Sequence, residues 1–133
     1  MLPVEEWTCL TAPFTIKKSF TDSSVPAGFA PYGIQDFNGL LYVTFAGGSN
    51  AADGFIDIFA EDGTLLKQLV HGVPLNQPWG LAIAPGNFGP FSNTVLVSNN
   101  LPAGTINAFN SVAGRFVGTL KDGNSEVIHI NKL

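Results

Sequence analysis

Three features of the sequence predict an all-β fold. The 133 residues include 15 Gly, 9 Pro and 11 Phe, which is the composition of many short apolar strands punctuated by tight turns. Four blocks of sequence recur in one order along the chain. No amphipathic helical pattern persists over about ten residues. With 45% hydrophobic and only 12% charged residues, the chain is rich in core-formers and has the length of a single domain.

The repeat justifies each strand in turn. Ala30-Pro31-Tyr32-Gly33-Ile34 reappears as Gln77-Pro78-Trp79-Gly80-Leu81, so each copy opens with proline ahead of a strand. Leu41-Tyr42-Val43-Thr44 matches Val95-Leu96-Val97-Ser98, the second strand. Gly54-Phe55-Ile56-Asp57-Ile58-Phe59 matches Gly104-Thr105-Ile106-Asn107-Ala108-Phe109, the third, and both copies alternate apolar and polar residues at the strand period. The fourth is Gly63-Thr64-Leu65-Leu66-Lys67-Gln68-Leu69 against Gly114-Arg115-Phe116-Val117-Gly118-Thr119-Leu120. Glu61-Asp62-Gly63 supplies a hairpin turn between the third and fourth strands. The spacing between copies runs from 47 residues (Pro31 to Pro78) to 54 (Leu41 to Val95) and drifts across an insertion at 86–93.

Four strands in a repeat of about 40–50 residues mark a propeller blade. The expected architecture is therefore a partial β-propeller: two four-stranded antiparallel blades plus flanking strands. Blade one covers residues 31–70 and blade two residues 78–120, within a domain at 15–133 that follows an irregular segment at 1–14. Residues 15–20 read as the outer strand of a preceding blade, and residues 126–131 as the opening of the next. The Gly-His and Trp-Asp marks of WD40 repeats and the double glycine of kelch repeats are missing. A propeller closes with about four to eight blades, and two leave apolar faces and strand edges uncovered. Three outcomes follow: a truncated product, a homo-oligomer completing a ring (for instance three chains of two blades), or an open assembly capped by the termini.

At these blocks the sequence resembles NHL-type six-bladed propellers, through Pro-x-Gly-Ile/Leu followed by a strand, a Gly-initiated strand ending in Phe, and Asp-Gly. More closely, Pro26-Ala27-Gly28-Phe29-Ala30-Pro31-Tyr32-Gly33-Ile34 and Pro74-Leu75-Asn76-Gln77-Pro78-Trp79-Gly80-Leu81-Ala82 resemble an uncharacterised bacterial propeller family. Its exported members often carry a PEP-type C-terminal sorting signal. Asn87-Phe88-Gly89-Pro90-Phe91-Ser92-Asn93 and Gly118-Thr119-Leu120-Lys121-Asp122 are similar to it as well. The resemblance, over residues 19–128, implies the propeller fold and frequent export, and it implies no activity. Members of that family are longer and usually have a secretion signal, whereas Met1-Leu2-Pro3-Val4-Glu5-Glu6-Trp7 lacks a basic n-region and an apolar h-region.

Charge narrows the partners. Six basic against ten acidic residues, −4 in net charge, with no basic run, cannot neutralise a row of phosphates, so neither nucleic acid nor an anionic membrane is an expected partner. No apolar run is long enough to span a bilayer as a helix. A single cysteine, Cys9, excludes an internal disulfide.

Loops on a rigid scaffold are where ligand groups usually sit. In an antiparallel blade the entry to the first strand and the connection between the second and third share one face. That rim gathers Tyr32, Trp79, His71 and Asn76 with Asn50, Asp53, Asn99 and Asn100. Of these, Tyr32, Trp79, Asn76, Asn99 and Asn100 are the candidate ligand-binding residues, because flat aromatic faces and amide groups suit sugar or glycan recognition. The competing reading has Tyr32 and Trp79 packing between blades and the asparagines capping turns.

No catalytic residue, metal site or cofactor is expected. Asp53, Asp57 and Asp62 lack calcium-loop spacing, and His71 and His129 lack metal-ligand spacing. Ser49, in Gly47-Gly48-Ser49-Asn50, lacks a nucleophile elbow. The sequence thus points first to a non-enzymatic binding or interaction module with a glycan or protein partner. The alternatives are a portion of a calcium-dependent propeller hydrolase or lactonase, and a gene remnant.

Overall fold

The computed structural model describes residues 19–47 and 53–132. The irregular segment expected at 1–14, with Cys9, most of the strand expected at 15–20, and Ser49 and Asn50 lie outside them.

The longest apolar runs of the chain become its central strands. β1 (Ala30–Phe37), β2 (Leu40–Ala46), β3 (Gly54–Ala60) and β4 (Leu65–His71) form one antiparallel sheet in sequence order. β5 (Pro78–Ile83), β6 (Thr94–Asn99), β7 (Ile106–Asn110) and β8 (Phe116–Thr119) form a second, again in sequence order. These are the two four-stranded antiparallel units that the repeat predicts, with boundaries displaced by about one residue. The insertion at 86–93 adds one 3-10 turn, Gly89–Phe91.

The first hairpin shows why the chain reverses where it does. Asn38 and Gly39 both take positive φ, 55° and 81°, which a two-residue hairpin loop requires and which Asn-Gly tolerates best. Asp36 Oδ1 accepts the Gly39 N–H at 2.7 Å. At the third turn, Gly63 N donates to Ala60 O and Ala60 N to Thr64 O, so the expected turn at 61–63 forms.

The sheets face each other through one side of each. Tyr42, Ile56, Ile58 and Val70 of the first sheet pack against Val95, Val97 and Phe109 of the second, with Leu75 from the connecting segment sealed among them. Val43, Phe45, Phe55 and Phe59 point to the opposite side of the first sheet, where Val25, Phe29 and Leu41 pack on them. Phe20 adds an edge-on contact to Phe59, with centroids 5.5 Å apart. Ile56, Phe59, Leu75, Val95, Val97 and Phe109 are essentially inaccessible to solvent. Burying each such side chain is worth about 1.5–3 kcal/mol, against about 1 kcal/mol net for a hydrogen bond, so apolar contact dominates cohesion between the sheets.

The internal repeat extends to irregularities of the backbone. The β1/β2 register shifts between Pro31 and Gly33, and the β5/β6 register shifts between the equivalent Pro78 and Leu81. At each shift the glycine N–H leaves the ladder and is taken by a hydroxyl on the neighbouring strand. Gly33 N donates to Thr44 Oγ1 at 2.9 Å, and Gly80 N donates to Ser98 Oγ at 2.9 Å.

Residues 126–131, expected to open a further unit, form no strand and meet the second sheet through isolated bridges. Asp122 Oδ1 accepts the N–H groups of Asn124 and Glu126, reversing the chain at 122–126. Ile130 then exchanges both backbone hydrogen bonds with Gly104, at 2.9 and 3.0 Å.

Candidate binding rim

Antiparallel pairing brings the start of β1, the end of β2, the start of β3 and the end of β4 to one edge, as Ala30 opposite Ala46 and Phe55 opposite His71 show. The second sheet presents the same edge, with Pro78 opposite Asn99. Tyr32, Asp53, His71, Asn76, Trp79, Asn99 and Asn100 therefore share one rim, while Asn50 lies outside the described residues.

Tyr32 and Trp79 meet there. Their ring centroids are 4.9 Å apart with planes inclined at 53°, and the residues remain 45% and 42% exposed. The ring contact is the packing between units that one reading expects, and each residue keeps a solvent-exposed part. The backbone beneath is fixed. Thr44 Oγ1 accepts from Gly33 N and donates to Trp79 O at 3.0 Å, so one hydroxyl ties the opening of β1 to the opening of β5.

The asparagines divide. Asn99 is buried, with Oδ1 accepting the Asn76 N–H at 3.0 Å and Nδ2 donating to Pro74 O at 2.9 Å. Both ends of its amide thus hold the connecting segment, and this side chain is a latch within the fold. Asn100 N donates to Gln77 O at 2.9 Å, and Gln77 Nε2 reaches Gly47 O at 3.0 Å, stitching the connection to both sheets. Asn76 and Asn100 are half-buried. His71 stacks on Phe55 at 4.6 Å with nearly parallel planes, and its Nε2 lies 3.8 Å from Asp53 Oδ2.

Two polar features escape the sequence reading. One is the hydroxyl bridge at Thr44. Its signal was present, since Thr44 and Ser98 occupy matched positions opposite matched glycines. The other is Asp57, whose carboxyl group is buried with no hydrogen-bond donor on either oxygen. Burial, reinforced by the negative charge of Asp22, pushes its pKa up to about 7. The nearby Gln68 amide favours the ionised form but is outweighed, and the protonated form can donate its own O–H to the Asp22 carboxylate. Burial also opposes ionisation of Asp22, but hydrogen bonds from the Ser24 hydroxyl and N–H (2.6 and 2.7 Å) and from Gln68 Nε2 (3.1 Å) outweigh it and hold this pKa below the usual carboxylate value. The repeat equivalent, Asn107, is neutral and satisfied: Thr119 Oγ1 donates to its Oδ1 at 2.8 Å.

Among the described residues, no three His, Cys, Asp or Glu side chains converge as a metal-ligating group.

Comparison with known proteins finds three similar uncharacterized proteins of Acanthamoeba polyphaga mimivirus. One is 34% identical over 118 residues, 82% of this chain and 22% of its own length. A second is 33% identical over 109 residues, 75% of this chain and 27% of its own, and a third 29% over 103 residues, 71% and 27% respectively. The chain thus spans about a quarter of the length of these relatives. No protein-family profile matches the chain, and no solved structure does.

Proposed function

We propose that the chain forms two successive blades of a β-propeller and acts as a non-enzymatic binding module, with Tyr32 and Trp79 as its contact surface. The observation that carries this reading is the exposed aromatic pair. Two residues from equivalent repeat positions stand at one rim, in ring contact and each more than two-fifths exposed. Support for the blade reading comes from the duplicated meander, its duplicated bulge and glycine–hydroxyl bond, and the adjacency of β1 and β5 through the Thr44 bridge. The NHL-like sequence blocks agree with it.

The chemistry of the rim favours a carbohydrate. An aromatic face stacks on the C–H face of a sugar ring, and half-buried amides at Asn76 and Asn100 supply donors and acceptors for hydroxyl groups. The surface is rigid because the backbone under both rings is pinned by Thr44, so little order is lost on binding.

A glycan array probed with the wild-type chain, Trp79→Ala and Tyr32→Ala tests the reading. Either variant is expected to bind about tenfold more weakly, from loss of one stacking partner, with its β-sheet circular dichroism unchanged. Absence of any bound glycan on the wild type, or undiminished binding by both variants, overturns it.

A further inference from the structure

We propose that the open face of the second sheet is a docking site for the first sheet of another copy of this chain, joined head to tail. The inference rests on the two-blade reading and extends it to a named interface. Its template is the interface already inside the molecule. There, the Thr44 hydroxyl of the first sheet donates to the Trp79 carbonyl of the second. That carbonyl approaches so closely that a Cβ added to Gly33 would lie 1.9 Å from it.

The repeat copies this device onto the other side of the second sheet. Gly80 takes the place of Gly33 and Ser98 the place of Thr44, with the same glycine N–H to hydroxyl bond. The carbonyl is missing. Ser98 is only 9% exposed, and among the described residues its hydroxyl has no acceptor for its proton. A Cβ at Gly80 would meet only the Ser98 side chain, so the carbonyl approach that excludes a side chain at Gly33 has no counterpart here. Around them a shallow hollow of about 260 Å³ is lined by Gly80, Leu81, Ala82, Leu96, Ser98 and Ile106, without a charged group.

The complementary surface stands at the other end of the chain. Val43 and Phe59 of the first sheet are the repeat equivalents of Val97 and Phe109, which are the residues that receive the first sheet internally. Together with Ile34, Phe45 and Tyr32 they line a hollow of about 280 Å³, also without a charged group. The second-sheet face is therefore the repeat equivalent of a face already buried against its mate, while the first-sheet face is partly covered by Phe20, Val25 and Phe29 and leaves Ile34 and Tyr32 exposed for the contact. Docking places the Tyr32 carbonyl of the second copy on Ser98 Oγ and its ring beside Trp79, which extends the aromatic rim. The contact is heterologous, so it repeats until the ring closes; with four to eight blades per ring, about two to four chains complete it. One internal contact has no counterpart, because Ile130 already covers Gly104 where the equivalent Gly54 meets Pro78.

Light scattering coupled to size-exclusion chromatography tests this on the full chain. Ile34→Arg blocks one face and Ala82→Arg the other, and both positions are exposed, so folding is preserved. The wild type is expected as a closed oligomer and each variant as a monomer. An equimolar mixture of the two variants is expected to form a heterodimer, since each retains the face the other lacks. A monomeric wild type, or a mixture that remains monomeric, overturns the proposal. A monomer that still binds glycan through Trp79 would sink the docking interface alone, leaving the binding-module reading standing.

Discussion

Asp57 sets the chain's response to pH. Burial, and then the neighbouring Asp22 charge, disfavour ionisation and push its carboxyl pKa from the ordinary 3.8 up to about 7 in the fold. Between about pH 4 and 7 the folded chain keeps a proton that the unfolded chain has released, so stability falls as pH rises through this window. The contribution is complete below about pH 4 and gone above about 7. Asp22 acts in the opposite sense and lower on the scale: its stabilisation holds above the ordinary carboxylate pKa and is lost as pH falls through its depressed value. Asp57→Asn, which copies the residue at the equivalent Asn107, is expected to flatten the profile between pH 4 and 7. It should also raise stability at pH 8 by about 1–2 kcal/mol, since no uncompensated charge is then buried. Urea denaturation midpoints at pH 5 and pH 8 measure both effects; an unchanged difference between them in the variant would refute the assignment.

At the scale of elements, one hydroxyl joins three strands. Thr44 on β2 accepts the N–H that the bulge in β1 releases and donates its own O–H to the Trp79 carbonyl at the start of β5. Thr44→Val keeps shape and removes both bonds, leaving Gly33 N and Trp79 O without partners near the interface. A loss of about 1–3 kcal/mol is expected in chemical denaturation, whereas Thr44→Ser, which reproduces the residue at Ser98, is expected to stay near wild type. Equal losses for the two variants would show that the methyl group matters and the hydroxyl does not. The strands themselves were legible because short apolar runs bounded by Gly, Pro, Asn and Asp recur in order, and a repeat is evidence independent of propensity. The hydroxyl bridge was less so, since Thr and Ser within a strand read as ordinary β-formers or solvent-facing polar positions. Alternation also misleads in β3. Ile56 and Ile58 face one buried side and Asp57 the other, so the polar phase of the pattern marks a second interior, not water.

For the molecule as a whole, the equivalence of Gly33 and Gly80 separates packing within one chain from packing between copies. Gly33→Ala forces a Cβ against the Trp79 carbonyl and is expected to destabilise the monomeric fold by about 2 kcal/mol or more. Gly80→Ala meets only the Ser98 side chain, at 3.0 Å, so a smaller loss of stability is expected together with loss of self-association. Thermal melts and light scattering on the two variants separate these effects; equal destabilisation without a change in association would contradict the asymmetry. The candidate site was only partly legible at this scale. Tyr32 and Trp79 could be placed on a common rim from the repeat alone, but their mutual contact depends on how the two sheets lie against each other. Asn99 could not be told from a ligand-facing residue, because its role as a latch exists only once the loop at 74–76 folds over it.

The sequence by itself determined the strands, their order and their duplication, since these follow from local apolar runs, turn residues and self-similarity along the chain. The packing of the sheets decided everything that needs two distant segments at one place. It made Asp57 a buried acid, tied Thr44 to Trp79, returned residues 126–131 to the second sheet, and left the Ser98 hydroxyl without an acceptor among the described residues. Strand formation is settled between neighbours in sequence and across a hairpin. Burial and hydrogen-bond satisfaction are settled by whatever surface arrives from elsewhere in the chain, and no single segment of sequence specifies that.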